Sequence, residues 1–229
     1  MEANERANFL DIRCGKLTAS RMADAIDFVE DKEKDPDAEP QPRRKPGDPP
    51  REKRWKSSAK RAQLLRDLLA ERLTGNSIRH YVTAAMQHGI EWEPTAKVEY
   101  EMHSGNIIQR CETIDHPTIE NFAATPDGLL GRTGVLEVKC PTSPVYCDWV
   151  IAGVVPEIHK AQMTAQLACT GRSHAMFVAF DPTIRDKTKR LFVRLFEPSA
   201  FEVQLIESHA VQFLRELDAM FDQFTRAAA

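Results

Sequence analysis

The 229-residue sequence predicts an α/β fold in which helices flank one mixed β-sheet. Three observations lead there. Leucines and phenylalanines recur at helical spacing over 58–74 and 199–226, which marks amphipathic helices with one buried stripe. Stretches rich in β-branched and aromatic residues at 134–140, 174–181 and 190–197 read as strands. The elements follow one another as helices, strands, helices, strands, helix with no internal repeat, the pattern of one layered domain. The length suits one large domain or two small ones, either able to bury a core, and the element order makes residues 1–229 the expected single unit.

A short helix should end near Gly15 and another begin near Ser20, since "RCGKLTAS" supplies a glycine stop and a serine cap. Residues 31–56, with six prolines and scarcely an apolar residue before Trp55, read as a loop or disordered insert. Its acidic first half turns basic, and the window 43–61 holds nine Lys or Arg against Asp48 and Glu52. That window is either a solvated loop or a basic arm for a phosphate backbone. The helix at 58–74 carries Leu64, Leu65, Leu68, Leu69 and Leu73, and Gly75 closes it. A helix at 83–104 is broken or continuous around Gly89 and Pro94. Strands are expected at 106–114, 118–125 and 134–140, then helices at 143–153 and 157–170. "HAMFVAFD" and "RLFVRLFE" read as two more strands, with the turn "PTIRDKTK" between them. Phe201, Leu205, Phe213, Leu217, Phe221 and Phe224 give the last helix its apolar side.

Composition narrows the function classes. No signal peptide and no apolar run near the roughly 18 residues of a membrane span are visible, which points to the cytoplasm. Five cysteines without a C-x-x-C pair support neither a disulfide framework nor a structural zinc site. The net charge of −3 advertises no nucleic-acid binder overall, though it says little about a local patch.

"TPDGLLGRTGVLEVKCP", residues 125–141, sets three charges in an apolar, glycine-punctuated frame. In a strand, Glu137 and Lys139 point to one face and Val138 to the other. The glycines of "DGLLGRTG" allow the chain to return beside Asp127, so two carboxylates and an ammonium converge. Two carboxylates at close range repel unless one takes a proton or a cation lies between them. Hard oxygen donors favour Mg2+ or Mn2+. The alternative is a plain turn at Asp127-Gly128 and two charges on the wet face of an edge strand.

As a whole the string resembles the PD-(D/E)xK nuclease motif, with Pro126-Asp127 as its first half and Glu137-Val138-Lys139 as its second. With "RCGKLTAS" at 13–20, "HGIEWEPTAK" at 88–97 and "HKAQMTAQLACTGR" at 159–172, the chain resembles the lambda exonuclease, or YqaJ-type viral recombinase, family. The resemblance implies a restriction-endonuclease-like core and a single nuclease domain. It implies Asp127, Glu137, the Val138 carbonyl and Glu93 as metal contributors, Lys139 as the catalytic lysine and Gln162 as a glutamine near the active centre. His88 and His159 are further candidates, with a capping or surface role as the alternative for His88. Arg13, Ser20 and Thr125 match a pocket for a terminal 5′-phosphate; an arginine that relatives carry after the lysine has no counterpart near Pro144 or Val145. Further implications are two Mg2+ ions, Mn2+ as a substitute, 5′-to-3′ digestion of duplex DNA ends to 5′-mononucleotides with 3′ single-stranded tails, a homotrimeric ring, and a single-strand annealing partner in phage-type recombination. The alternatives are a restriction-like or structure-specific endonuclease on the same core, and a non-catalytic DNA-end-binding subunit.

Overall fold

The computed structural model describes residues 12–31, 54–78 and 82–227. In chain order, β1 (Leu17–Thr18) leads through a 3-10 turn at Ala19–Arg21 into α1 (Met22–Ala25). Then come β2 (Phe28–Glu30), β3 (Trp55–Ser57), α2 (Ala59–Thr74), α3 (Ala84–Ser104), β4 (Ile108–Gln109), β5 (Ile114–Asp115) and β6 (Phe122–Ala124). β7 (Gly128–Leu130), β8 (Gly134–Lys139), α4 (Ser143–Ala152), α5 (Glu157–Thr170), β9 (His174–Phe180), β10 (Leu191–Phe196) and α6 (Ala200–Ala227) complete the chain.

The main sheet is mixed, in the order β10-β9-β8-β7-β4, with β8 and β9 parallel and every other pair antiparallel. A second sheet runs β1-β6-β5, and β2 pairs with β3 as a separate ribbon. Alternation along β8 sends its residues to two cores. Leu136 and Val138 meet Ala96 and Tyr100 of α3, while Val135 meets Tyr146 of α4 and Met163 and Leu167 of α5. The third core joins Leu64 and Leu68 of α2, Phe122 of β6 and Phe213 and Leu217 of α6. Helices thus cover both faces of a mixed sheet, as the element order predicts.

Local signals account for the helix limits. Ser58 caps α2 by accepting from Arg61 N at 3.1 Å, a contact that contributes about 1 kcal/mol. Gly75, at φ 68°, ends it in the left-handed conformation. α3 runs unbroken through Gly89 and Pro94, because Thr83 caps its start and buried Ala96 and Tyr100 anchor its second half. Pro94 removes one helical hydrogen bond, and that packing outweighs the loss.

Several expectations need correction. The strand expected at 106–114 is two short strands, β4 and β5, and "DGLLGRTG" is not all turn, since Gly128–Leu130 pairs with Gly134–Leu136 as β7. Gly128 is required there by close approach: a Cβ would lie 2.3 Å from Ile108 Cγ2. The insert expected at 31–56 ends inside a strand, as Trp55 and Lys56 pair with Glu30 and Val29; residues 32–53 lie outside the described residues. Arg61 does not belong to a basic arm. It is 1% exposed, forked onto Glu216 at 2.7 and 2.9 Å, and donates to Ala25 O and Ser57 Oγ. Leu73 lies at the edge of the α2 stripe, and Phe201, Leu205 and Phe224 lie outside the buried α6 stripe of Ile206, Ala210, Phe213, Leu214 and Leu217. All five cysteines are free thiols. Among the described residues no helix is long and apolar enough to cross a membrane.

Candidate active site

A cleft of about 1000 Å³ opens between α3, the β7–β8 hairpin, α5 and the N-terminal turn. Its lining includes Asp127, Glu137, Lys139, Gln162, Glu93, Arg13, Ser20 and Thr125. Segments more than a hundred residues apart in sequence therefore meet in one cavity.

The hairpin register explains how. Gly128 stands opposite Leu136, so one step further Asp127 faces Glu137. Asp127 N donates to Leu136 O at 3.0 Å, and Val138 N donates to Asp127 Oδ2 at 2.7 Å. The aspartate thus closes the ladder with its side chain where the strands diverge. The N–H and C=O of one strand residue point the same way, so the Val138 carbonyl lies on the Asp127 side as well. Val138 itself is buried against α3, and Glu137 and Lys139 share the opposite face.

Glu137 is 1% exposed and heavily donated to. Gln162 Nε2 donates to Oε1 at 2.6 Å, Gln166 Nε2 donates to Oε2 at 2.5 Å, and the Lys139 ammonium contacts Oε1. Asp127 differs. Burial, and then the charges of Glu137 and Glu93, push its carboxyl up to about 8, against the pull of Lys139 and the Val138 N–H. Burial also works against the Lys139 charge, yet Glu137 and Asp127 outweigh it and hold the ammonium above its ordinary range. Cys140, next in the chain, is pushed up to about 12, by burial first and then by Glu93 and Asp127, so it is an inert thiol at neutral pH.

Glu93 lines the cleft one helical turn from Lys97, to which it is paired at 2.7 Å. Among the described residues no three of His, Cys, Asp and Glu form a ready-made metal site. The donor set still fits a hard divalent cation: two facing carboxylates with the carbonyl side of Val138 beside them, and a raised Asp127 that reports uncompensated negative charge.

In the same cleft, Arg13 Nη2 donates to Thr18 Oγ1 at 3.0 Å and to Ser20 Oγ at 2.9 Å. Thr125 Oγ1 lies 2.9 Å from Thr113 Oγ1. Burial, and then Arg21, lower the Arg13 guanidinium from its ordinary value, as expected of a cation held among hydroxyls with another cation nearby.

The two histidines are not among the residues that line the cleft. His159 packs between Trp149 and Phe177, with ring centroids 5.2 and 5.4 Å away, and burial followed by Lys139 lowers it to about 4. It is a half-buried ring, neutral at pH 7. His88 stands 6.4 Å from the Trp92 ring, on the side where its charge acts on Asp181. Beyond the residues that the sequence marks, the cleft is also lined by Gln166, which is fully buried, and by Lys97, Arg110 and Glu112. The i, i+4 spacing of Gln162 and Gln166 on an otherwise apolar helix face was the available signal for Gln166.

The model of the YqaJ-like viral recombinase domain matches residues 51–173. No curated protein sequence matches the chain significantly. Among solved structures, an alkaline exonuclease from Laribacter hongkongensis, LHK-Exo, is 32% identical over 96% of this chain and 97% of that chain, with a TM-score of 0.79. LHK-Exo in complex with dAMP superposes with a TM-score of 0.80 at the same identity and coverage. A phage-related exonuclease from Haemophilus somnus 129PT, 14% identical over 93% of this chain and 96% of that chain, shares the fold at a TM-score of 0.60. The α/β core is accordingly restriction-endonuclease-like. With a domain match across more than half of the sequence and a third of all residues shared with an end-to-end relative, the chain belongs to the YqaJ-like viral recombinase family.

Proposed function

We propose that this chain is a divalent-metal-dependent DNA exonuclease that hydrolyses duplex ends in the 5′-to-3′ direction, releases 5′-mononucleotides and leaves 3′ single-stranded tails. The observation that carries the reading is the meeting, in one cleft, of the Asp127–Glu137–Lys139 cluster with the Arg13–Ser20 pair. LHK-Exo, whose fold this chain shares, binds dAMP, a 5′-mononucleotide of the kind the proposed reaction would release.

Asp127, Glu137 and the Val138 carbonyl would hold the metal, with Glu93 contributing charge from α3. One or two Mg2+ ions, or Mn2+ in their place, would supply Lewis-acid activation of water and of the leaving oxygen. The chain's own residues do the rest. Gln162 and Gln166 hold Glu137 in one orientation, so its negative charge is fixed before substrate arrives. Lys139 remains an ammonium, which suits it to orient a water and to offset charge on the phosphate in flight, and unsuits it to abstract a proton while paired with Glu137. Arg13, with the Ser20 and Thr18 hydroxyls, offers donors for a terminal phosphate, and Thr125 adds a hydroxyl to the same cavity. A phosphate seated there would set the first phosphodiester toward the carboxylates and give the digestion its polarity.

We place residues 1–229 in one nuclease domain acting in the cytoplasm of a bacterial host, as a homotrimeric ring around DNA beside a single-strand annealing protein. End-labelled linear duplexes, with and without a 5′-phosphate, incubated with Mg2+ beside a closed circle, test the activity. Release of labelled mononucleotide from linear DNA alone, faster with the phosphate, is expected; cutting of the circle would overturn the exonuclease in favour of an endonuclease.

A further inference from the structure

Gln166 is polar, fully buried and on the cleft, a combination that needs a reason. It lies one helical turn beyond Gln162, so α5 presents two amides to one carboxylate. Gln162 takes Oε1 of Glu137 at 2.6 Å and Gln166 takes Oε2 at 2.5 Å. The Gln166 amide has one orientation compatible with this contact. Reversed, it would set an amide oxygen against a carboxylate oxygen at that distance, acceptor against acceptor. Its own Oε1 is buried and has no hydrogen-bond partner among the described residues. The same residue therefore gives a donor to a site carboxylate and leaves an acceptor unused at the back of the cleft.

We propose that Gln166 is a positioning residue for the reaction assigned above: its amide N–H locks the second oxygen of Glu137, and its carbonyl oxygen holds a water beside the pair. The first contact fixes the carboxylate rotamer. With Oε1 held by Gln162 and Lys139 alone, Glu137 could rotate about its terminal torsion, which is soft in glutamate. With both oxygens held, the carboxylate plane is set by two rungs of one helix. The water follows from the orphan acceptor, since buried polar atoms that lack a protein partner are commonly satisfied by ordered water. Gln166 touches Glu137 and no reacting atom, so it acts through Glu137.

The inference rests on the nuclease reading, and its test separates the two. Gln166→Met keeps the volume and removes both the donor and the acceptor; Gln166→Glu keeps the shape and donates only when protonated. In the wild-type protein with Mg2+ and linear duplex, activity tests the nuclease reading by itself. The expected result for Gln166→Met is kcat lowered tenfold or more with KM within about threefold, unchanged far-ultraviolet circular dichroism, and weaker Mn2+ binding to the DNA-free protein by electron paramagnetic resonance. For Gln166→Glu, a new alkaline limb is expected in the rate–pH profile, because the introduced carboxyl sits against Glu137 with Lys139 and Asp127 in the same cleft. Wild-type kcat and Mn2+ affinity in Gln166→Met, or a Gln166→Glu profile superimposable on the wild type, would overturn the proposal while leaving the nuclease reading intact.

Discussion

Asp127 and Glu137 face each other across one hairpin, carry the same functional group and differ in everything around them. Glu137 sits on a central strand against α5, and three side-chain donors reach its two oxygens. Asp127 sits at the mouth of β7, and among the described residues its carboxylate accepts from one backbone donor, Val138 N–H. Glu137 is buried and Asp127 half-buried. Asp127 meets burial and two neighbouring negative charges with little in return, and is pushed up to about 8. The pair is therefore well supplied with donors on one side and poorly on the other, an imbalance that the proposed cation would relieve.

The largest effects should come from breaking the cluster itself. Asp127→Ala, Glu137→Ala and Lys139→Ala are each expected to reduce the rate of linear-duplex digestion by about a thousandfold or more, the scale of losing a principal electrostatic contributor. The fold should survive, since all three side chains open on the cleft. Near wild-type cleavage by any of them, measured by mononucleotide release, would break the assignment for that residue.

A second effect follows from the raised carboxyl. The native chain keeps a proton on Asp127 up to about 8, whereas the unfolded chain loses it near the ordinary 3.8. Between those values the native state binds more protons, so stability falls as pH rises through that window. Thermal melts in a chelator should show Tm dropping from pH 5 to pH 8, and saturating Mg2+ or Asp127→Asn should flatten the slope. A slope unaffected by either would place the raised group elsewhere.

Smaller effects belong to the proposed phosphate pocket. Arg13→Ala removes the donor shared by Thr18 and Ser20. A charge-assisted hydrogen bond contributes about 1.5–3 kcal/mol, so the preference for a 5′-phosphorylated over a 5′-hydroxyl duplex should shrink by about ten- to a hundredfold while the residual rate persists. Smallest of all is His159→Phe. That ring is neutral, lies outside the cleft lining and packs on Trp149 and Phe177, so kcat should stay within about threefold and the rate–pH profile from 6 to 9 should keep its shape.

Much of this was legible in the sequence because strong periodicity and local charge chemistry agree. The limits of α2, α4 and α5 follow from helical patterning closed by Gly75, Gly153 and Gly171, α6 follows from its apolar stripe, and the convergence of Asp127, Glu137 and Lys139 follows from alternation plus a glycine-rich return. What escaped has physical reasons. β7 is three residues long and begins with a glycine needed for contact with Ile108, so composition spells turn while tertiary packing makes strand. β2 and β3 pair across the prolines of the insert, and pairing at such a distance leaves no local signature. Arg61 looks like one more basic residue of an exposed run until Glu216, 155 positions away, is seen to receive it. Gln166 was hidden because a buried glutamine is read as an exception until its partner is known. The histidines were drawn toward the site by their neighbours in sequence, and helical geometry turns both rings elsewhere.

The most direct test of the central claim is metal binding by the DNA-free protein. Mn2+ titrated into wild type, Asp127→Asn and Glu137→Gln at pH 7.5, followed by electron paramagnetic resonance or calorimetry, should show binding in the wild type. Affinity should fall at least tenfold in each variant, with protons released as the wild-type site fills. Equal affinity in all three proteins would contradict the account, because the two facing carboxylates would then not be what holds the ion.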